Sequence, residues 1–574
     1  MSVDLNDISF EDLSLEEFIL SPYTAAVVLR SNDLANLDLS DTPNIRLGKE
    51  LSGNFVIVYI RIDLLEPLYR NNKSINYSLA MGLFSQFDLN AAGISAVQQQ
   101  PYLSLRGGGV LLGFIDTGID YTKSAFCWED GTTKIRNIWD QTITGMGAPF
   151  DFNFGFEFTA NNINKALKSD DPYSVVPHRD TVGHGTFLAS LAGSHEPGMY
   201  AGAAPDAEFV IVKIKEISPY YRDLYMVPSQ YQDVYESVDL MLGIDYIITK
   251  AQELNRPVAI CIGIGTNLGS HDGFSALEDF VSGVSYINGV SVCCAAGNES
   301  AVKRHATGRV EATGATATVE FRSSENTESV YLSIWNSLTD RLSASLISPT
   351  GESISRVPAR SGETTTTRLI MENARVMITY RFPYSGNSAQ LTVIRISDPT
   401  PGIWRLQLYG ELILDGVFHI WLPISGMGSS GIDFLTPDPN YTVTVPATAV
   451  GIIACGAYST RDNSLYELSS WGPSRLHAAI PDLAAPGVDV GGIFPSDYGI
   501  MSGTSAAAAI TAGACALLLE WGLILENAVS MNTYHVRSVL IQGCERDTWL
   551  EYPNDQWGYG RLNLYNSFLS LRST

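Results

Sequence analysis

The sequence predicts an α/β protein built on a mainly parallel sheet with helices on both faces. A small α+β unit precedes it, and an all-β sandwich is inserted into it. Three observations lead there. Short apolar runs and helical runs alternate from residue 109 to 298 and again after 450, the pattern of parallel strands joined by crossover helices. Between about 303 and 435 no helical pattern occurs, and some eight segments of alternating polarity follow one another between Gly, Pro and Asn. The chain has 574 residues, too many for a single core.

In order, residues 1–86 hold two strand-like runs, Thr24 to Arg30 and Asn54 to Ile62, with polar segments between them and a short helix over Asp63 to Arg70. Gly109-Val-Leu-Leu-Gly-Phe-Ile-Asp116-Thr-Gly118 reads as a buried parallel strand with Asp116 at its C-terminal end, where sites of open α/β sheets lie. Gly183-His184-Gly185-Thr186 opens a helix over Phe187 to Ala192. Strands are expected at Val210–Ile214, Val258–Ile264 and Val290–Ala296, and helices at Asp239–Leu254 and Phe274–Ile287. The sandwich strands are Thr316–Phe321, Val330–Trp335, Leu342–Ile347, Thr365–Ile370, Val376–Phe382, Gln390–Ile396, Trp404–Tyr409 and Gly416–Leu422, a number that suits a β-sandwich or jelly roll. The α/β pattern resumes at Val450 to Ala457 and ends with a helix over Tyr534 to Ile541 and a strand-like tail from Trp557. The expected division is 1–86, then 87–302 with 436–574, with 303–435 as the insert.

Hydrophobic residues make up 45% and charged residues 17% of the chain, as in a folded globular protein. The formal net charge of −25 argues against nucleic acid and anionic membrane as main partners and is compatible with bound cations. Seven cysteines show no framework spacing, and Cys261, Cys293, Cys294, Cys455 and Cys515 lie in apolar runs. They read as buried thiols of a chain made in a reducing compartment. The acidic start Met1-Ser-Val-Asp4 predicts no signal peptide and synthesis in the cytoplasm. The most apolar helix, Ala512 to Leu525, is expected to break at Glu520 and Gly522 and to be too short to span a bilayer.

The stretch that organises the chain is Met501-Ser-Gly503-Thr504-Ser505 followed by an alanine run. It places Ser505 where a tight turn meets a buried helix. Unpaired N–H groups and the positive dipole end there can meet an oxyanion. An N-cap serine would look the same in isolation. Asp116 alone would pass for an Asx-turn residue and His184 for turn chemistry. Together, the order Asp116, His184, Ser505 is one of the chain orders of a serine-hydrolase triad. Serine needs a base, the imidazole needs a carboxylate to fix its tautomer, and Asn298, after Ala295-Ala-Gly297, can donate its amide to the oxyanion.

These blocks resemble the subtilisin-like serine proteases, the subtilases. Over about 87–300 and 440–570 the resemblance implies Asp116, His184 and Ser505 as triad and Asn298 as oxyanion donor. Ile262-Gly263-Ile264-Gly265 matches the strand that pairs with an extended peptide substrate, and Pro481-Asp-Leu-Ala-Ala-Pro486-Gly487 a segment near the nucleophile. Two positions depart from the family: Ala509 stands in place of a proline, and Gly263 in place of a serine, where it could alter the S1 wall. Within the family, Gly269-Ser-His-Asp-Gly273, Asp438-Pro-Asn-Tyr-Thr442, the helix from Ala506 to Trp521 and Tyr552-Pro-Asn-Asp-Gln-Trp-Gly-Tyr-Gly560 resemble the clostridial Csp germination proteases. That resemblance implies a subtilisin-like fold with a retained N-terminal prodomain, acting as chaperone and inhibitor, and a jelly-roll insert. It also implies a spore-associated enzyme whose substrate is another zymogen, such as a spore cortex lytic enzyme.

The implied partners are therefore a protein or peptide substrate and the chain's own cleaved prodomain, with no cofactor needed for chemistry. Structural calcium, common in the family, has no residues assigned to it. Ala92-Gly93-Ile94 resembles the start of a mature subtilase domain and puts self-processing at Gln86–Phe87, with Leu83 to Gln86 in the groove; Gln98–Gln100 is the competing site. Two other functions are weighed. One is a catalytically idle Csp-like regulator or germination-signal scaffold, against which the complete triad speaks. The other is a sandwich that binds carbohydrate through Trp335, Trp404 and Trp421, against which core packing of those rings is favoured.

Overall fold

The computed structural model describes residues 10, 13–36, 43–51, 53–71, 74–83, 90–145, 147–196, 200–384 and 389–571. At its centre is an eight-stranded sheet in the order Leu483–Pro486, Ile453–Tyr458, Val290–Ala295, Val258–Ile262, Leu111–Asp116, Glu208–Lys213, Ile135–Asp140, Phe156–Thr159. All neighbours are parallel except the last pair. The strands are apolar throughout because both faces are covered. Consecutive residues show it: a Cβ on Gly193 of the helix His184–Gly193 would meet Leu112, whereas one on Gly113 would meet Ile247 of the helix Ser237–Glu253. Adjacent strand residues point to opposite faces, so the two helices lie on opposite sides.

The helix Thr504–Leu519 is buried along its whole length against the strands Val258–Ile262, Val290–Ala295 and Ile453–Tyr458. A helix apolar all round is a core helix. Contrary to the sequence expectation, it does not break at Glu520. A π turn over Glu520–Ile524 carries it on, because the Glu520 carboxylate accepts the N–H groups of Arg106 and Gly107 and so fits at the helix end. The resulting 21 residues are long and apolar enough to cross a membrane, and 78% of the most apolar window is buried inside the fold.

The insert runs from His305–Arg309 to Ile432–Phe434 as two antiparallel sheets of six and five strands. They share a core that includes Phe321, Ile334, Ile394, Trp404 and Leu406. Three strands join the eight expected: His305–Arg309, Ser353–Val357 and Ile432–Phe434. Trp335, Trp404 and Trp421 are all buried, at 1%, 0% and 0% exposure, which leaves none of them on a carbohydrate-binding surface.

The N-terminal unit is a four-stranded antiparallel sheet, Ile45–Leu51, Phe55–Arg61, Thr24–Arg30, Asn76–Tyr77, with the helix Ile62–Asn71. Its outer strand Ile45–Leu51 stands where the sequence showed only a polar segment. After this sheet the chain enters the sheet domain as a strand, Ala80–Leu83. It pairs antiparallel with Tyr235–Glu236 on one side and Ile264–Gly265 on the other.

Candidate active site

The sheet places Asp116 at the C-terminal end of its strand, and the turn that follows is packed too tightly for side chains. A Cβ on Gly185 would lie 2.2 Å from the Gly118 carbonyl oxygen. Glycine at 185 therefore lets the helix His184–Gly193 start directly against the Asp116 turn, where its Gly185 N–H donates to Thr117 Oγ1 at 2.9 Å. His184 Nδ1 lies 2.7 Å from Asp116 Oδ1, and His184 Nε2 lies 3.3 Å from Ser505 Oγ. The three residues are 2%, 5% and 0% exposed in the order Asp116, His184, Ser505. Asp116 Oδ1 also accepts the Thr117 N–H at 2.8 Å. A carboxylate on Nδ1 fixes the tautomer that leaves Nε2 as acceptor toward the serine.

Ser505 stands in the first turn of Thr504–Leu519, after Gly503 at φ 156°. Asn298 follows the strand Val290–Ala295, and its Oδ1 accepts from Thr504 N–H at 3.1 Å and from Thr504 Oγ1 at 3.2 Å. With the carbonyl end so engaged, the Nδ2 amide is turned away from Thr504. Thr504 Oγ1 in turn accepts the Gly297 N–H at 3.0 Å. Thr504 lies in the stretch that organises the chain, but its hold on Asn298 is not legible there, because the two are more than 200 residues apart.

Gly263 carries no side chain because a Cβ there would lie 2.5 Å from Leu188 Cδ1 and 3.3 Å from both Asp116 Oδ2 and His184 Cε1. Gly263 thus packs directly against Leu188, Asp116 and His184. Gly265 and Ile264 form the strand that Gly82 and Leu83 pair with. Gln86 and Phe87 lie outside the described residues. Of the competing site Gln98–Gln100, Gln98 and Gln99 lie in the helix Ile94–Gln99, where Gln98 Nε2 donates to the carbonyls of Gly202 and Ala203. Sequence reasoning missed the Tyr235–Glu236 wall of the groove, a two-residue strand too short for a pattern, and also Asp180, which ties Thr186 and the Gly183 N–H into the His184 turn.

Among the described residues, no group of three or more His, Cys, Asp or Glu side chains is arranged to hold a metal ion. All seven cysteines are free, and Cys293 of the strand Val290–Ala295 and Cys515 of the Ser505 helix bring their sulfurs to 3.4 Å.

The model of the subtilase (peptidase S8) family matches residues 428–560. The CspB protease of Clostridium perfringens is 30% identical, with the alignment covering 84% of this chain and 99% of that one at a TM-score of 0.75. Fervidolysin of Fervidobacterium pennivorans, a keratinolytic enzyme related to subtilisin, shares the fold at 13% identity and a TM-score of 0.51, over 95% of this chain and 61% of that one. The subtilase-type proteinase RRT12 of Saccharomyces cerevisiae is 26% identical over 167 residues, 25% of this chain. That match spans 32% of the yeast protein's length.

Proposed function

This chain belongs to the subtilase family of serine peptidases, and from that membership and the site geometry we propose that it is an endopeptidase working through Asp116, His184 and Ser505. The observation that carries the reading is the continuous relay from Asp116 Oδ1 to His184 to Ser505 Oγ, at 2.7 and 3.3 Å. Ser505 Oγ attacks the scissile carbonyl carbon and passes its proton to His184 Nε2. Asp116 holds Nδ1–H and stabilises the imidazolium. The carbonyl oxygen, now an anion, is met by the Asn298 amide and by N–H groups at the helix start. His184 then returns the proton to the leaving amine, and water repeats the sequence on the acyl-enzyme.

The proposal extends to self-processing. Ala80–Leu83 lies as the middle strand between Tyr235–Glu236 and Ile264–Gly265, the strand-addition mode of peptide recognition. This supports a cut shortly after Leu83, at the expected Gln86–Phe87. A helix cannot add to a sheet edge, so the helical position of Gln98 speaks against the competing site. The N-terminal unit is proposed to stay bound after the cut as an inhibitor. Arg381 of the sandwich supports this: it pairs with Glu66 at 2.9 Å, with its guanidinium over the rings of Tyr77 and Tyr69. The finer proposal, that the substrate in trans is another zymogen such as a spore cortex lytic enzyme, rests on the resemblance to the Csp proteases.

Mass analysis of the purified wild type beside Ser505→Ala tests the reading. Two co-purifying fragments from wild type, the smaller ending near Gln86, and one intact chain from Ser505→Ala are expected. An intact chain in wild-type preparations that hydrolyse peptides refutes self-processing. Wild type that neither cuts itself nor hydrolyses peptides favours the idle regulator.

A further inference from the structure

Behind the Asp116 turn lies a second aspartate–histidine pair, Asp140 and His178, that the chemistry above does not use. His178 Nδ1 is 2.6 Å from Asp140 Oδ2, and the two side chains are 0% and 1% exposed. The other ring nitrogen, Nε2, accepts the backbone N–H of Ile119 at 3.2 Å. That N–H is only a donor, so Nε2 must be the unprotonated nitrogen and Nδ1 must carry the proton. Asp140 dictates this tautomer, since its carboxylate can only accept. Its second oxygen is held by the Thr142 N–H and O–H at 2.9 and 2.6 Å. Burial works to raise the Asp140 carboxyl, yet the hydrogen bonds from His178 and Thr142 and the charge of Lys213 hold it below its usual range.

The ring is wedged against the turn itself. A Cβ on Gly118, which sits at φ +111°, would come within 2.9 Å of His178 Cε1. The strands give the symmetry of the arrangement: Lys213 is in register with Asp116 on one side and Asp140 on the other. Two aspartates thus end strands two apart, and a histidine on each grips the turn between them. His184 grips it from the Asp116 side, and His178 from behind through Ile119.

We propose that His178, held in its Nδ1–H tautomer by Asp140, is a positioning residue for catalysis: by accepting the Ile119 N–H it fixes the turn that aims the Asp116 carboxylate at His184. The proposal rests on the triad reading. Displacing a catalytic group by about 1 Å can cost about 100-fold in rate, so a loosened turn should appear in kcat.

Two near-isosteres separate the two nitrogens. His178→Gln can keep an oxygen near the Nε2 position to accept from Ile119. His178→Asn keeps a donor near Nδ1 for Asp140 and leaves Ile119 N–H without its acceptor. The expected result is kcat within about threefold of wild type for His178→Gln and lower by about tenfold or more for His178→Asn, with KM unchanged in both. Equal losses in the two variants, or losses only in KM or thermal stability, overturn the proposal. A readout independent of turnover uses the Ser505→Ala protein with 15N-labelled histidine. Two Nδ1–H resonances shifted far downfield by a carboxylate acceptor are expected, beyond those of histidines that face carbonyls, and one of the two is lost in His178→Gln. A His178 resonance in the Nε2–H form overturns the proposal even where a variant fails to fold. Absence of turnover in wild type with both resonances present would instead overturn the triad reading.

Discussion

The buried histidines fall into two groups that are wired in opposite ways. In the sheet domain, His178 and His184 each turn Nδ1 to a carboxylate. At the seam with the sandwich, His271, His305 and His419 find carbonyls, each other and aromatic faces. His271 has the carbonyls of Val443 and Asn267 at its two nitrogens and stacks on Trp421 at 4.2 Å. His305 faces the Asp438 carbonyl and His419 Nδ1. A carboxylate fixes a tautomer and stabilises a cation formed by proton transfer; burial in a dry seam keeps the imidazole neutral, against the pull of the carbonyls it faces. The first wiring suits proton transfer and the second suits packing, although the residue type is the same.

The strongest way to break that comparison is at the reacting end of the first group. Ser505→Ala is expected to lower kcat by about 10⁶, the size of loss that removing the triad serine causes in subtilisin, and Asp116→Asn by about 10⁴ through the wrong tautomer. A seam substitution, His419→Gln, should leave peptide hydrolysis within about threefold. Hydrolysis of a chromogenic peptide, with and without each change, checks all three. Undiminished hydrolysis by Ser505→Ala would remove the triad assignment.

A smaller loss is expected where one donor among several goes. Asn298→Ala should cost about 10²–10³ in kcat, with KM little changed. Thr504→Val should cost less than Asn298→Ala, because it releases the Asn298 carbonyl from one of its two donors and leaves the amide in place. If Asn298→Ala raised KM alone, the residue would be a ground-state contact and not an oxyanion donor.

What could be read from the sequence follows burial. Strands such as Leu111–Asp116 and Ser329–Ser337 are rich in apolar residues because both of their faces are buried, and they stood out at once. So did Asp116 and His184, which sit near glycines that close packing demands, and Ser505, which heads an alanine run. The strand Ile45–Leu51 did not, because Arg46, Gly48, Lys49 and Glu50 make an outer strand look like a loop. The end of the Ser505 helix was misjudged for a related reason: Glu520 looks like a breaker until its partners, more than 400 residues earlier in the chain, are seen. The Asp140–His178 pair left no trace. Its residues lie on a strand that the polar sequence Arg136-Asn137 hid and in a segment without glycines, and only the fold brings them together.

The second group of histidines predicts how the seam responds to acid. Burial first, opposed by hydrogen bonds to carbonyls, pushes His271 and His305 down to about 4. Arg475, Asp272, Asp438 and the neighbouring histidines are the charged and titratable groups around them. A base whose folded value lies below its unfolded value of about 6.5 contributes stability at higher pH. That contribution falls as pH drops through 6.5 and is gone below about 4, where both states bind the proton. Urea midpoints of the Ser505→Ala protein should therefore decline between pH 6.5 and 4, and less steeply in His305→Gln. An unchanged slope in that variant would show that the seam histidines do not titrate on unfolding.

The smallest expected effect concerns how the sandwich holds the N-terminal unit. Glu66 is 43% exposed, so its pairing with Arg381, itself 11% exposed, is screened on one side. The guanidinium also lies 4.2 Å from the Tyr77 ring centroid and 4.6 Å from that of Tyr69, contacts that give about 0.5–2 kcal/mol. Losing them corresponds to a roughly 2- to 30-fold faster release of the cleaved unit. Arg381→Gln should thus leave self-processing intact and shorten the time for which the small fragment remains bound, read by dilution and size separation of the processed protein. Arg381→Lys keeps the charge but loses the planar stacking, and should fall between the two. Peptide hydrolysis should rise in step with fragment loss, because Ala80–Leu83 occupies the groove strand until the unit leaves. If the fragment left faster and hydrolysis did not rise, something other than the N-terminal unit would be holding the enzyme in check; if the fragment stayed bound equally long, the Arg381 contact would be packing without a hold on release.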